Sequence, residues 1–276
     1  MDYSVLLSVY QKEQPEYLAE SLESVFAQTV SPAQVVLVGD GPLTDALLAV
    51  IDDFAARYPT FQFVPIKENG GLGRALAEGL KHCRCELVAR MDTDDIALPT
   101  RFEHQLDAFA SDETLTLCGG QMLEFIGTPS HVVSQKRVPL THEEILAYAR
   151  KRNPFNHPTV MFKKSAVEAA GGYRHAPLFE DYDLWARMLV KGDRTCNLGE
   201  DLIYFRTGED QYARRGGWKY FQQVRLGKRE IYRTGLMSRS DYLVSVAAHA
   251  VVCLMPNGLR GFIYRKLLRR GKEEQK

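Results

Sequence analysis

The chain has 276 residues, 45% hydrophobic and 25% charged, an ordinary profile for one large folded domain with an appendage. Lys plus Arg and Asp plus Glu both number 35, so no global positive charge argues for a nucleic-acid partner. Five cysteines, odd in number and irregular in spacing, exclude a disulfide framework and fit reduced thiols in a cytoplasmic protein. Cys83-Arg84-Cys85 is too tight for a CxxC metal knuckle. The N-terminus opens on a strand pattern, so no signal peptide is expected. Ser4 to Val9 is a β-rich run. Pro15 suits the first turn of a helix carrying Leu18, Leu22, Val25 and Phe26 on one face. Gln34 to Val38 is a second apolar run, closed by Gly39-Asp40-Gly41-Pro42. Leu47, Leu48, Ile51 and Phe54 mark the next helix. Phe61 to Ile66 reads as a strand, with Pro65 at its end. Asn69-Gly70-Gly71 turns into a helix with Leu72, Leu76 and Leu80. Glu86 to Arg90 is the fourth strand. This order predicts an α/β fold with a mostly parallel sheet flanked by helices. Ligands in such sheets bind beyond the carboxyl ends of the strands, where Asp40 and Asp92 both fall.

The fourth strand delivers Asp92-Thr93-Asp94-Asp95-Ile96, three carboxylates in four positions. Unpaired buried carboxylates are costly, so a cationic partner is expected there. Asp95 alone could cap the helix that begins near Pro99 or close a turn. That does not account for Asp92 and Asp94 together. An EF-hand calcium loop starts similarly, but Ile96 and Ala97 stand where a ligand and a glycine belong. A phosphatase with an Asp-x-Asp nucleophile competes, although its motif usually ends the first strand of the sheet. The remaining reading is Mn²⁺ or Mg²⁺ bridging carboxylates to a diphosphate.

Seven segments, taken in order, resemble family-2 glycosyltransferases of the GT-A fold. They are "SVYQKEQPEYLAESLESVFAQT", "VVLVGDGP", "NGGLGRALAEGL", "MDTDDIALPTRF", "NPFNHPTVMF", "GGYR" and "EDYDLW", spanning about Ser4 to Trp185. "FRTGEDQYARRGGWKY" further resembles bacterial enzymes that build capsular or exopolysaccharide repeat units. The resemblance implies roles for individual residues. The backbone of Ser8, Val9 and Tyr10 would cradle the base and ribose, and Glu13 would reach the ribose. Asp40 would accept a hydrogen bond from uracil; Gly39 stands where many relatives carry a further aspartate. Asn69, Gly73 and Arg74 would face the nucleotide, since a helix start attracts anions and glycines admit close approach. Gly70-Gly71 could equally be a plain turn. Asp92 and Thr93 belong to the nucleotide-sugar site. Asp92 and Asp94 form the metal pair, Asp94 being the more direct ligand.

Asp181, in the acidic pair with Glu180, matches the family's general base, which takes the acceptor hydroxyl's proton. Its alternative reading is a helix-start carboxylate stabilised by the dipole. Glu180, His157, Trp185 and Arg206 are candidates for the acceptor or a diphosphate. His157 could instead be a satisfied loop histidine and Trp185 a core residue. Arg206, with Arg214 and Arg215, could clamp a diphosphate, or the latter two could sit in a solvated loop.

The resemblance thus implies an inverting, metal-dependent enzyme with a UDP-sugar donor and a saccharide acceptor, for which polyprenyl diphosphate is a candidate carrier. Two alternatives stand beside it. A sugar-nucleotidyltransferase should carry a glycine-rich loop after the first strand, where this chain reads Tyr10-Gln11-Lys12-Glu13-Gln14. A catalytically inactive sugar-binding protein would not need Asp92, Asp94 and Asp181 together. The expected organisation is a catalytic domain over 1–215, with a nucleotide half to about 110 and an acceptor half beyond, then a helical extension over 216–276. Tyr242 to Met255 is the most apolar run, yet shorter than the roughly 20 residues that cross a bilayer. Arg260, Arg265, Lys266, Arg269 and Arg270 then alternate with Leu259, Phe262, Ile263, Leu267 and Leu268. That pattern suits a helix lying on the cytoplasmic membrane face, with a hairpin packed on the catalytic domain as the alternative.

Overall fold

The computed structural model of the chain describes residues 1–174, 176, 178–208 and 216–254. Strands and helices alternate first: β1 (Tyr3–Val9), α1 (Pro15–Phe26), β2 (Gln34–Asp40), α2 (Asp45–Arg57), β3 (Phe61–Ile66), α3 (Leu72–His82) and β4 (Leu87–Arg90). Pro15 sits at the start of α1 as its fixed φ favours. Val35, Val36, Leu37 and Val38 are all fully buried, because helices cover both faces of the sheet. Leu6, Val36 and Val38 pack against Leu76 and Leu80 of α3. Val5, Leu7, Val35 and Leu37 pack the other way, against Leu18 and Leu22 of α1 and Ile51 and Phe54 of α2.

The second half runs β5 (Ile96–Ala97), α4 (Arg101–Ser111), β6 (Leu115–Phe125), β7 (Val132–Lys136) and α5 (His142–Ala149). A 3-10 turn at His157–Thr159 leads to β8 (Met161–Lys163), α6 (Lys164–Ala169), α7 (Glu180–Lys191) and β9 (Arg194–Arg206). The apolar run Thr159 to Phe162 is split: Thr159 ends the turn that holds Pro158, and Met161 and Phe162 open β8. Helix α7 starts at the acidic pair itself. Glu180, Asp181 and Asp183 occupy its first turn, where the helix dipole favours carboxylates.

The sheet order is β3-β2-β1-β4-β8-β6-β9-β5, with β7 on β6. The β3-β2-β1-β4 half is parallel throughout. Beyond it the sheet is mixed: β8 lies antiparallel to both β4 and β6, while β6 and β9 are parallel. β1 has β2 on one side and β4 on the other. The crevice at that switch of strand order opens where Ser8 to Tyr10 and the acidic cluster end their strands.

α8 (Trp218–Arg233) and α9 (Arg239–Leu254) form a helical hairpin. Tyr232 stacks on Tyr242 with ring centroids 5.2 Å apart, and the Gly217 N–H donates to the Cys253 carbonyl at 2.8 Å. The hairpin docks on α7 through Gly227, where a Cβ would lie only 2.2 Å from the Phe179 ring. Among the described residues no helix is long and apolar enough to cross a membrane. Arg214, Arg215 and the basic stretch from Leu259 to Arg270 lie outside the described residues.

Candidate active site

A cavity of about 420 Å³ opens at the strand switch. Ser8, Tyr10, Glu13, Asp40, Asn69, Asp92, Thr93 and Asp94 all line it, as does Phe205. Val9 does not, since its side chain is fully buried in the core. Arg74 is exposed at the start of α3, folded over the backbone of Gly70.

Asp40 clasps the loop that starts α3. Its Oδ1 accepts from the Gly70 N–H at 2.7 Å and its Oδ2 from the Gly71 N–H at 2.9 Å. The Asn69 side chain donates to the Asp40 carbonyl at 3.0 Å. Gly71 has φ +84°, a conformation that side chains with a Cβ rarely adopt. Gly70-Gly71 is thus a turn with a purpose, because it aims two amides at one carboxylate. Asp40 was expected to serve a base, and here both of its oxygens already serve the loop.

The acidic cluster finds its cation two residues before it. Arg90, 1% exposed, donates one guanidinium N–H to Asp92 Oδ2 at 2.8 Å and another to Asp92 Oδ1. Arg101, also fully buried, donates to the Arg90 carbonyl at 2.7 Å and fixes the strand end. Burial and the Arg90 charge hold Arg101 down to about 9. Thr93 ties the cluster to the loop after β1, donating to Glu13 Oε2 at 2.9 Å. Asp95 does not cap α4. It is fully buried, and its Oδ1 accepts the Arg206 backbone N–H at 2.9 Å.

Asp92, Asp94 and Asp95 offer carboxylate oxygens within 4.8 Å of one another. Burial, with Asp92 and Glu13 close by, pushes Asp94 up to about 7. Burial, with Asp94 and Asp92 close by, raises Asp95 well above the usual carboxylate range, and its Oδ2 has no partner. This much unneutralised negative charge fits a hard divalent cation with oxygen ligands. Asp94, half-buried and facing the cavity, would be its direct ligand; Asp92, already forked by Arg90, would be the lesser one.

Asp181 stands in the first turn of α7. Asn153 Nδ2 donates to its Oδ2 at 2.6 Å, and the Tyr182 N–H donates to its Oδ1 at 2.6 Å. Burial raises its pKa while these two donors hold it back. Glu180 is pushed up to about 7 by burial and by Asp181. Gly73 lets α7 approach α3: a Cβ there would lie 2.6 Å from the Arg174 carbonyl and 3.2 Å from Glu180 Cβ. That contact sets Glu180 of α7 against the start of α3, and Asp92 adds to the rise at Glu180. Asp181 itself lines a second cavity, of about 360 Å³, beyond α7.

Three expectations for the acceptor side need correcting. Trp185 is fully buried among Phe155, Phe162 and Tyr173, so it is core and cannot stack under a sugar. His157 Nε2 meets the Tyr173 hydroxyl at 3.2 Å, and burial beside Arg90 pushes its pKa well below the ordinary range. It is a neutral packing residue satisfied by a side chain. Arg206 is no free clamp. It donates to the Asp94 carbonyl at 2.9 Å and the Gly127 carbonyl at 3.0 Å, pairs with Glu20, and covers the Tyr17 ring at 3.9 Å.

The family model described as glycosyl transferase family 2 matches residues 4–170. The chain belongs to this family. It is 40% identical to the amylovoran biosynthesis glycosyltransferase AmsE of Erwinia amylovora, over 96% of this chain and 98% of that one. It is 36% identical to an Escherichia coli UDP-Gal:alpha-D-GlcNAc-diphosphoundecaprenol beta-1,3-galactosyltransferase, over 97% of each. Among solved structures, Staphylococcus aureus TarS 1–349 with UDP-GlcNAc aligns over 97% of this chain and 76% of that one, with TM-score 0.68 at 18% identity. A mannosyltransferase from Pyrobaculum calidifontis, with GDP-Man and Mn²⁺, aligns over 90% of this chain and 69% of that one, with TM-score 0.65 at 17% identity. The fold is GT-A, and the chain is a glycosyltransferase. The nucleotidyltransferase alternative falls with it.

Sequence reasoning missed Arg90, Asn153 and Phe205. Arg90 carried a signal, being a charge inside a strand otherwise apolar, one residue ahead of Met91 and the cluster. Asn153 lies 28 residues from Asp181, with no local pattern to link them. Phe205 reaches the cavity only because β9 runs alongside β6 and β5 at the far end of the sheet.

Proposed function

We propose that the chain is an inverting, metal-dependent glycosyltransferase. It moves a sugar from a UDP-sugar onto a saccharide carried by polyprenyl diphosphate, in the synthesis of a surface polysaccharide. The observation that carries this reading is the placement of Asp94 and Asp181. One lines the cavity of Ser8, Asp40 and Thr93, and the other stands in the first turn of the helix that packs on α3 through Gly73. Asp181 accepts the proton of the acceptor hydroxyl as that oxygen bonds the anomeric carbon, and the bond from that carbon to the diphosphate breaks. Asn153 orients the carboxylate for this. A divalent ion, Mn²⁺ or Mg²⁺, held by Asp94 and Asp92, would supply charge neutralisation for the departing diphosphate. A second lone pair on one Asp40 oxygen would accept from the uracil N–H. The names of the Erwinia and E. coli relatives support a polysaccharide product and a diphosphate-linked acceptor. A lipid-linked acceptor places the enzyme at the cytoplasmic membrane face, which an apolar stripe on α9 supports.

The test is a donor screen that measures UDP or GDP release from each nucleotide-sugar, with Mn²⁺, with Mg²⁺ and with EDTA. Metal-dependent release from a UDP-sugar is expected. Release from GDP-sugars alone, or release undiminished in EDTA, would sink the donor or the metal assignment respectively.

A further inference from the structure

The cavity on the far side of Asp181 has a chemistry that proton transfer does not use. Its wall includes Lys228 of α8, a lysine only 3% exposed. The Lys228 ammonium has one hydrogen bond, to the Lys151 carbonyl at 3.2 Å, and lies 5.0 Å from the Tyr182 ring centroid. Among the described residues no carboxylate pairs with it. Burial and the Arg152 charge hold it down to about 8. Arg152 lines the same wall and is exposed at the mouth. His249 of α9 joins them, its Nδ1 bonded to the Ser245 carbonyl at 2.8 Å. A buried ammonium without a counter-ion is destabilising, so an anion bound in this cavity would stabilise the charged form of Lys228.

Asn153 and Tyr182 line the cavity beside Asp181, and the remaining wall, Leu178, Phe179, Ala248 and Val252, is apolar. Ala248 belongs also to the outward face of α9, where Leu243, Val244, Ala247, Ala248 and Val251 are all exposed. One cavity thus brings together a carboxylate base, two cations and an apolar wall whose Ala248 continues onto an apolar stripe. An isoprenoid-linked acceptor offers one group for each: a sugar hydroxyl, a diphosphate and a hydrocarbon chain.

We propose that this cavity holds the carrier end of the acceptor, with Lys228 and Arg152 binding the diphosphate and α9 leading the isoprenoid away. This rests on the reading of Asp181 as the base of a glycosyltransferase. It makes the α8–α9 hairpin part of the substrate site.

The test is direct binding of geranyl diphosphate to the full chain, in EDTA, by titration calorimetry. Geraniol and inorganic diphosphate are the comparison probes. Geranyl diphosphate should bind once per chain, at least tenfold tighter than either probe, and excess UDP should not displace it. Lys228→Met and Arg152→Gln should each weaken it tenfold or more. Arg152 is at the surface, so that variant reads out even if Lys228→Met does not fold. Geraniol binding equally well would make the cavity merely apolar, and inorganic diphosphate binding equally well would make it a plain anion site. Displacement by UDP would put the probe in the donor cavity. Any of these, or two variants that bind like the parent, overturns the proposal. Failure of the functional reading is seen separately, as absence of nucleotide release in the donor screen.

Discussion

Arg90 and Asp92 form a forked ion pair under the nucleotide-side cavity, with the guanidinium sealed from solvent and the carboxylate at the cavity wall. The pair faces a second demand, because Asp94 and Asp95 lie close enough to repel Asp92 and each other. Arg90 is therefore the internal counter-ion that lets three carboxylates share one strand end.

Arg90→Met should be more damaging than its distance from the substrate suggests. Removing one partner of a buried pair typically costs about 3–5 kcal/mol. The variant should melt well below the parent and lose metal-dependent UDP affinity. Arg90→Lys should recover little, because an ammonium cannot make the two parallel bonds that the guanidinium makes. Thermal melting and UDP titration with Mn²⁺ check both. A variant with parental stability and affinity would mean that the pair is incidental.

Asp94→Ala acts on the other side of the same cluster. It removes the carboxylate best placed for a metal and also relieves repulsion within the cluster. Folding should be retained or improved while turnover falls on the order of a hundredfold or more, the scale for losing one contact that stabilises departing charge. The parent should bind UDP more tightly with Mn²⁺ than without, and the variant should lose that difference. Near-parental turnover in the folded variant would remove Asp94 from the metal site.

Asp181→Asn should leave UDP-sugar affinity near the parental value while kcat collapses, as for a group that acts mainly in the transition state. Asn153→Ala offers a finer reading. The Asn153 donor stabilises the ionised form of Asp181 and opposes the rise caused by burial. Without it, the pKa of the base climbs. The base works only when deprotonated, so the acid limb of the kcat profile should move to higher pH. A loss of kcat that is uniform across pH would mean that Asn153 only packs.

The first half of the fold was legible because each element announced itself locally. Runs such as Val35 to Val38 are apolar on both faces, and helices such as α3 repeat Leu72, Leu76 and Leu80 at helical spacing. The acidic cluster was legible for the same reason, as three carboxylates ending a buried strand. The acceptor half was less so, because its contacts join distant parts of the chain. Arg206 looked like a clamp from its place at a strand end. Only the fold shows its guanidinium spent on Glu20, 186 residues away, and on the carbonyls of Asp94 and Gly127. Trp185 was ambiguous in sequence because an aromatic in the first turns of a helix can face either way. Lys228 gave no signal at all in the polar stretch of α8, and only tertiary burial makes it unusual.

The exposed face of α9 carries the last prediction. Leu243, Val244 and Val251 are 56%, 69% and 64% exposed, on one side of a helix of 16 residues. That is too short to span a bilayer, which takes about 20 residues, yet suitable for lying in its surface. Full burial of each such side chain contributes about 1.5–3 kcal/mol, so three of them would anchor the chain reversibly. The basic residues that follow in the sequence, Arg260 to Arg270, would add attraction to anionic lipid. The full chain should therefore co-sediment with phosphatidylglycerol vesicles at low salt. Raising the ionic strength should release part of it, because screening weakens the charge contribution and leaves the apolar one. The triple variant Leu243→Ser, Val244→Ser and Val251→Ser should lose most of the remainder with its melting temperature nearly unchanged, since these side chains already face solvent. If the parent chain stays in the supernatant at low salt, α9 serves only as the hairpin partner of α8, and attachment to the membrane must come through the acceptor itself.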